Sequence, residues 1–355
     1  MGDRPLNVLV LNSVECRDRY LKFIRNAAAK ANRHPDMVTL CIANTPNLSV
    51  DTFEEVLKAI GDFDIYKRVC FFLRESALTS ALKASSWIRN YFSEHIARQK
   101  IGVFLSTAKY FHTKWAAYTM KHKDTKQRTT KTLLTSANII RSHMNKGKSQ
   151  DCKIFNSIVS YQSDKSLDND TIQMWEKCDN RVCKIPKDGD AKLEKVKQRE
   201  VDTSQCVIPN LSSKVIYMTT LQYIKRKACK AGHTIYIVRP FIARVIFQTC
   251  CSNVIRSFIA HFTTMSSQCS QNKPVMNIVY NQVYERHTHK EIIEEEIQKL
   301  KHEHKSNKNL SFIVACNKFH CKFIAYVAPD SNAVRVLHTP ANFFFFYFIA
   351  CTSFP

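Results

Sequence analysis

Two copies of one motif carry the residues that could do chemistry. The first copy reads FHTKWAAY at 111–118, followed by TLLTSANII at 132–140; the second reads FHCKFIAY at 319–326, followed by VRVLHTPANFF at 334–344. Each is a His-x-Lys on an apolar run, with an Asn after a second apolar run. The His-to-Asn gaps are 26 and 22 residues. This repetition predicts one active site assembled from two half-sites, with the residues His112, Lys114, Asn138, His320, Lys322 and Asn342.

These residue types suit phosphoryl transfer from a phosphodiester. In a strand, side chains two positions apart point the same way, so each His projects together with its Lys. One imidazole can attack phosphorus, and the other can protonate the leaving oxygen and then activate water. The lysines and asparagines can stabilise charge on the non-bridging oxygens. We expect no metal and no cofactor, because the lysines supply the positive charge that Mg²⁺ often lends.

The double motif resembles the phospholipase D superfamily, whose two half-sites each carry a His-x-Lys and a downstream Asn. Most of that superfamily has an Asp five positions after the Lys, where this chain has Thr119 and Val327. The Asp-less form is most similar to the tyrosyl-DNA phosphodiesterase type. The resemblance implies that His112 is the nucleophile and His320 the general acid and base. It implies that the lysines and asparagines of both copies bind the phosphate, with the Ser136 hydroxyl as a further substrate-binding group.

The charge of the chain predicts a polyanionic partner. The formal net charge is +23, with only six Gly, and the sequence contains no glycine-rich phosphate loop. A charge of this size attracts polyanions, and nucleic acid is the usual one. We therefore expect DNA, single-stranded or at its ends, with an anionic membrane surface as a weaker candidate and no obligate protein partner. The basic residues beside the first motif, Lys121, Lys123, Lys126 and Arg128, are predicted to contact this substrate.

Alternation of strand and helix patterns predicts an α/β fold. The order repeats in the two halves, so we expect two similar lobes of the phospholipase D type, each a mixed β-sheet flanked by helices. The predicted boundaries are 1–161 for the N-terminal lobe, 162–210 for a polar linker or insertion, and 211–355 for the C-terminal lobe. Helices are predicted at 78–98 and 213–230, and the apolar tail from Asn342 onward as a buried strand.

The sequence pattern predicts neither a secretory signal peptide nor a membrane span. The first residues hold too short an apolar stretch for a signal peptide, and no segment reaches the roughly 20 apolar residues of a membrane span. The 14 cysteines then predict reduced thiols. We expect a protein of the nucleus or cytoplasm that is not secreted and has no transmembrane helix.

The predicted function is a metal-independent phosphodiesterase that acts on DNA through a phosphohistidine, with tyrosyl-DNA phosphodiesterase-like end processing as the leading reaction. A nuclease or a phospholipid hydrolase of the same fold remains open. So does a non-catalytic nucleic-acid-binding relative, because Pro340 stands where the first copy has Ser136 and proline has no backbone donor.

Overall fold

The computed structural model describes residues 8–33, 38–44, 47–61, 68–97, 101–106, 114–121, 128–145, 154–163, 181–184, 192–195, 228–240, 251–281, 290–331 and 334–338. The chain divides into two compact units, Met1–Asn210 and Leu211–Pro355.

The described part of the first unit alternates strands and helices before it ends in strands. Its helices are α1 (Ser13–Arg33), α2 (Val50–Ile60), α3 (Glu75–Ala84) and α4 (Ser86–Ala97). Its strands are β1 (Val8–Leu11), β2 (Val38–Asn44), β3 (Arg68–Arg74), β4 (Ile101–Ser106), β5 (Lys114–Lys121), β6 (Arg128–Thr135), β7 (Asn156–Ser163), β8 (Arg181–Lys184) and β9 (Lys192–Lys195).

In this described part, nine strands form one mixed sheet in the order β1-β7-β6-β5-β2-β3-β4-β8-β9. The central strands β2, β3 and β4 are parallel, and every other neighbouring pair is antiparallel. Parallel strands need crossovers, which α2 and the α3–α4 pair supply. All seven residues of β2 are buried, as expected for a parallel strand covered on both faces.

One face of the sheet packs against the helices. α1 buries Tyr20, Ile24, Ala27 and Ala31, a spacing of three and four residues that forms one helix face. A group of rings links α2, β3 and α4, with centroids 5.3 to 6.3 Å apart, and comprises Phe53, Phe71 and Phe92. The opposite face has a smaller buried cluster around Trp115, built from alternate residues of β2, β3 and β5.

The helix predicted at 78–98 is wrong in one respect, because Ser85 divides it. Ser85 has extended backbone angles, and its Oγ accepts a hydrogen bond from the Ile88 N–H at 3.1 Å. The same hydroxyl donates to Glu54 Oε1 at 2.7 Å. A serine at this position caps the N-terminus of the next helix, so α4 starts on a new axis against α2.

The described part of the second unit is a smaller version of the same design. It contains β10 (Thr234–Val238), α5 (Cys251–Gln268), β11 (Val275–Asn281), α6 (Lys290–Glu303), β12 (Leu310–Ala315), β13 (Phe323–Val327) and β14 (Val334–His338). Its sheet has the order β12-β11-β10-β13-β14, with the first three strands parallel and the last two antiparallel. Its core joins both helices to the sheet through Phe258, Ile259, Phe262, Ile297 and Leu300.

The predicted α/β class with two mixed sheets and flanking helices is confirmed. The polar stretch 162–210 contains β8 and β9, which extend the first sheet beyond β4. The helix predicted at 213–230 falls almost wholly outside the described residues, and the apolar tail from Asn342 onward falls entirely outside them. Among the helices that the structure describes, none combines the length and the apolar character needed to cross a membrane.

Candidate functional site

Three of the predicted site residues of the first unit lie at one edge of its sheet, and they are Lys114, Ser136 and Asn138. Parallel β2 ends there at Asn44, and antiparallel β5 begins there at Lys114, directly opposite Asn44. β6 reaches the same edge at Thr135. The carboxyl edge of parallel strands is where ligands bind in open α/β sheets. Buried polar residues gather at this edge, and they are Ser13, Asn44, Lys114, Ser136, Asn138, His143, Asn145, Asn156 and Ser157.

Lys114 is a buried cation, with only 1% of its surface exposed. Lysine is almost never fully buried unless it is paired, because desolvating its ammonium is costly. On its strand it is followed by Trp115, which is fully buried and packs against Phe72 with the ring centroids 5.7 Å apart. These rings anchor the start of β5, and Lys114 projects at the sheet edge where an anionic ligand would bind.

The loop after β6 is held by hydrogen bonds to β7. The Ser136 N–H donates to the Ser157 carbonyl at 2.9 Å, and the Ser136 Oγ accepts the Ser157 N–H at 2.9 Å. The Ser136 hydroxyl donates to Asn156 Oδ1 at 3.4 Å. Asn156 in turn donates to the His143 carbonyl at 3.4 Å. A phosphate would therefore compete with Asn156 for the Ser136 proton, so the role of Ser136 in substrate binding stays a prediction.

Asn138 is positioned through its backbone. Its N–H donates to His143 Nδ1 at 3.0 Å, which requires that nitrogen of His143 to be unprotonated. The next N–H, of Ile139, donates to Asn44 Oδ1 at 3.0 Å. Asn138 is 6% exposed, and its Oδ1 has no hydrogen-bond partner among the described residues. The side-chain amide is thus held at the sheet edge with its oxygen unused within the described structure.

In the second unit, His320 and Lys322 contact each other. Lys322 Nζ lies 3.1 Å from Nδ1 and 3.0 Å from Nε2 of the His320 ring, and it donates to the His320 carbonyl at 3.0 Å. Lys322 is 1% exposed, like Lys114, whereas His320 is half-buried. The pair thus combines a buried ammonium with a more accessible imidazole, as a phosphate-binding cation and a proton-transfer group would require.

Further positive and ionisable groups surround Lys322. Burial, and secondarily the charge of Arg239, lower the pKa of Lys322 to about 7. Burial, and secondarily the charge of Lys322, lower the pKa of His338 to about 4. Arg239 follows β10 directly and is 3% exposed. An anion beside Lys322 would offset this concentration of positive charge and favour the charged lysine.

The two motif copies occupy equivalent positions in their sheets. Trp115 pairs with Leu134, and Phe323 pairs with His338. Lys114 and Lys322 each come one residue before these pairs, and Asn138 and Asn342 each come four residues after them in sequence. Counted from Trp115–Leu134 toward the turn of its hairpin, the β5–β6 ladder has seven residue pairs. Counted from Phe323–His338 in the same way, the β13–β14 ladder has five. The β13–β14 hairpin is thus shorter by two residues on each strand. This accounts for the four-residue difference between the His-to-Asn gaps of the two motif copies, 26 and 22 residues.

Other predicted residues lie away from this edge or outside the described residues. Lys121 and Arg128 pair with each other at the far end of the β5–β6 hairpin. Lys121 lies seven residues further along the strand than Lys114, a distance of roughly 24 Å between their backbones. These two basic residues therefore do not share a phosphate with Lys114. The predicted residues outside the described part of the chain are His112, Lys123, Lys126 and Asn342.

Sequence reasoning missed the residues that support the site. Asn44, His143 and Arg239 were not predicted, although Asn44 and Arg239 could have been noted as polar residues directly after apolar strands (CIAN and IYIVR). His143 had no comparable signal. Within the residues that the structure describes, no three His, Cys, Asp or Glu side chains are grouped closely enough to hold a metal ion.

The burial of Lys322 predicts a pH-dependent stability. Its pKa is about 7 in the folded protein and near 10.5 when unfolded. Between these values the unfolded chain binds more protons, so this group makes the protein more stable as pH rises from 7 to 10.5. Lys322→Met removes the effect. We expect Lys322→Met to have a higher thermal denaturation temperature than the wild type. The difference should be largest near pH 7 and should shrink toward pH 10. A pH-independent difference would contradict the burial of a titrating Lys322.

Comparison with known proteins identifies the fold. No protein-family model matches the chain, and no curated protein sequence matches it. The chain is similar to the crystal structure of polyphosphate kinase from Porphyromonas gingivalis, with a TM-score of 0.51 and 10% identity over 96% of this chain and 46% of the kinase chain. A yeast tyrosyl-DNA phosphodiesterase mutant matches with a TM-score of 0.45 and 9% identity, over 91% of this chain and 80% of that one. Polyphosphate kinase has a fold of the phospholipase D superfamily, so the likeness to it shows a phospholipase D-like fold for this chain.

Proposed function

We propose that this protein is a phosphodiesterase that cleaves nucleic acid phosphodiesters through a phosphohistidine. The observation that carries the proposal is the equivalent placement of Lys114 and Lys322. Each lysine is 1% exposed. Each comes one residue before a cross-strand residue pair, Trp115–Leu134 or Phe323–His338, whose second member lies four residues before the motif Asn. Two buried lysines at matched positions of two sheets are expected from a repeated phosphate-binding element. Core packing alone would favour an apolar residue at either position, because a buried ammonium costs free energy.

The proposed reaction has two steps. His112 attacks phosphorus, a P–N bond forms, and the P–O bond to the leaving group breaks as His320 donates a proton to the leaving oxygen. His320 then takes a proton from water, the water oxygen attacks phosphorus, and His112 leaves. Lys114, Lys322, Asn138 and Asn342 stabilise the charge on the non-bridging oxygens in both steps. The cationic side chains supply this stabilisation, so the reaction needs no metal ion.

DNA is the proposed substrate because the net charge of +23 favours a long polyanion. Lys121 and Arg128, at the far end of the hairpin, suit contacts with distant phosphates of such a substrate. The Asp-less motif favours processing of a 3′ end that carries a tyrosyl group, as its resemblance to the tyrosyl-DNA phosphodiesterase type implies. A second polyanion to compare is inorganic polyphosphate, since the matched kinase is named for it.

Substrate preference tests the proposal directly. Purified protein in EDTA would be given single-stranded DNA with a 3′-phosphotyrosine, the same DNA without it, polyphosphate, and phosphatidylcholine vesicles with anionic lipid. Tyrosine release from the first substrate, lost in His112→Ala and His320→Ala, is the expected result. Cleavage of plain DNA would indicate a nuclease, and cleavage of lipid a phospholipase. DNA binding without cleavage of any substrate would contradict the proposal and favour a non-catalytic binding protein.

A further inference from the structure

Asn281, the last residue of β11, makes two hydrogen bonds with a single backbone residue, Phe319. Asn281 Nδ2 donates to the Phe319 carbonyl at 2.8 Å, and Asn281 Oδ1 accepts the Phe319 N–H at 3.1 Å. Asn281 is 7% exposed and Phe319 is 8% exposed, so water competes little for either bond. The amide thus fixes both the N–H and the carbonyl of one residue, as a neighbouring strand would.

Phe319 immediately precedes His320, so this clamp acts on the backbone that carries the imidazole. On the other side of His320, its carbonyl accepts a hydrogen bond from Lys322 Nζ at 3.0 Å. The backbone N–H of Asn281 also donates to the Pro240 carbonyl at 3.3 Å, one residue after Arg239. Asn281 therefore ties the segment bearing His320 to the strand end bearing Arg239.

The first unit does not carry this device at the matching position. Asn44 lies opposite Lys114 and pairs with Leu73, so Arg74 is the residue of β3 that corresponds to Asn281 of β11. An arginine side chain only donates hydrogen bonds, so it cannot accept a backbone N–H as Asn281 Oδ1 does. The residue of β3 at the matching position therefore cannot form this clamp. Among the described residues, the clamp is found at the copy of the motif that carries His320.

We propose that Asn281 is a positioning residue that holds His320 for proton transfer. This inference rests on the proposed function, in which His320 serves as the acid of the first step and the base of the second. Both steps demand a proton path of hydrogen-bond length, so a backbone shift of a fraction of an ångström is enough to slow them.

Two substrates with different leaving groups distinguish a positioning role of Asn281 from a general loss of structure in Asn281→Ala. 4-Nitrophenolate leaves without needing a proton, whereas the tyrosyl oxygen needs one. With a 4-nitrophenyl ester of a DNA 3′-phosphate, Asn281→Ala should keep the burst of 4-nitrophenol from the first step. Steady-state turnover should fall at least about tenfold, part of the 10²–10⁴ that a general acid–base group contributes. With the tyrosyl substrate, the burst should fall as well.

Asn307→Ala is the matched control, because it makes the same change in the same unit. Asn307 Oδ1 accepts the Asn309 N–H at 3.1 Å, just before β12 begins at the opposite end of the sheet. This variant should lose stability without losing the burst or the turnover. Equal loss of burst and turnover in Asn281→Ala, or no loss in either, would overturn the positioning role while leaving the proposed function intact.

A measurement that does not depend on activity completes the test. The His320 ring resonances, assigned with His320→Ala, would be titrated by NMR in the wild type and in Asn281→Ala. A changed chemical shift and titration of His320, with the His233 ring unchanged, is expected. An unchanged His320 ring would overturn the inference. Absence of turnover in the wild type, with a shifted ring in the variant, would overturn the proposed function and reduce Asn281 to a structural residue.

Discussion

Lys114→Met and Lys322→Met are each expected to lower kcat by about 10²–10³-fold, as the loss of one oxyanion-stabilising donor does. Methionine has a similar length and no charge, so it fills the space that the lysine leaves. The pKa of Lys322, lowered to about 7 chiefly by burial, means that the site disfavours its charged form overall. The free energy of unfolding of Lys322→Met should therefore stay equal or rise while activity falls.

Thermal denaturation and steady-state kinetics on the same samples measure both effects. Lys30→Met and Lys273→Met are the controls, one in each unit, because both lysines are exposed. They should change neither quantity appreciably. Loss of stability together with unchanged kcat would show that the buried lysines serve packing or pairing and would contradict their role in phosphate binding.

His112→Ala and His320→Ala are expected to fail at different steps. Without His112 there is no nucleophile, so neither burst nor turnover should occur. Without His320 the phosphoenzyme should still form from a 4-nitrophenyl substrate and then hydrolyse about 10²–10⁴-fold more slowly. His320→Ala should therefore accumulate a covalent adduct that His112→Ala never forms.

Rapid-quench kinetics with separation of free and protein-bound DNA would measure this difference. His302→Ala is a suitable control, because His302 is an exposed histidine on α6 and should behave as the wild type. Identical behaviour of the two motif variants, with no adduct in either, would contradict the assignment of separate roles to His112 and His320.

The sequence was most informative where structure is local. The alternation of strand and helix patterns predicted the α/β class, which the two mixed sheets and their flanking helices confirm. The two motif copies suggested that their lysines occupy equivalent positions. The cross-strand pairs of β5–β6 and β13–β14 place Lys114 and Lys322 at equivalent positions of their sheets. The break at Ser85 was missed, since the cap is shown by the hydrogen bond from the Ile88 N–H to Ser85 Oγ and the contact with Glu54 is long-range.

Long-range contacts were the features that sequence reasoning could not predict. Asn44 bonds a residue 95 positions away, and Asn281 bonds one 38 positions away. No local pattern distinguishes these asparagines from others until strand pairing brings their partners to the same sheet edge. The basic residues Lys121 and Arg128 were expected beside the site because they are near it in sequence. The β5–β6 hairpin carries them to its far end instead.

The most direct test of the phosphohistidine mechanism is to locate the covalent bond. Protein incubated in EDTA with a 4-nitrophenyl ester of a DNA 3′-phosphate would be quenched in alkali, under which phosphohistidine survives, and digested for mass spectrometry. The mechanism predicts a DNA 3′-phosphate on His112, enriched in His320→Ala and absent from His112→Ala. Release of 4-nitrophenol without any protein-bound phosphate, or an adduct on a residue other than His112, would contradict it.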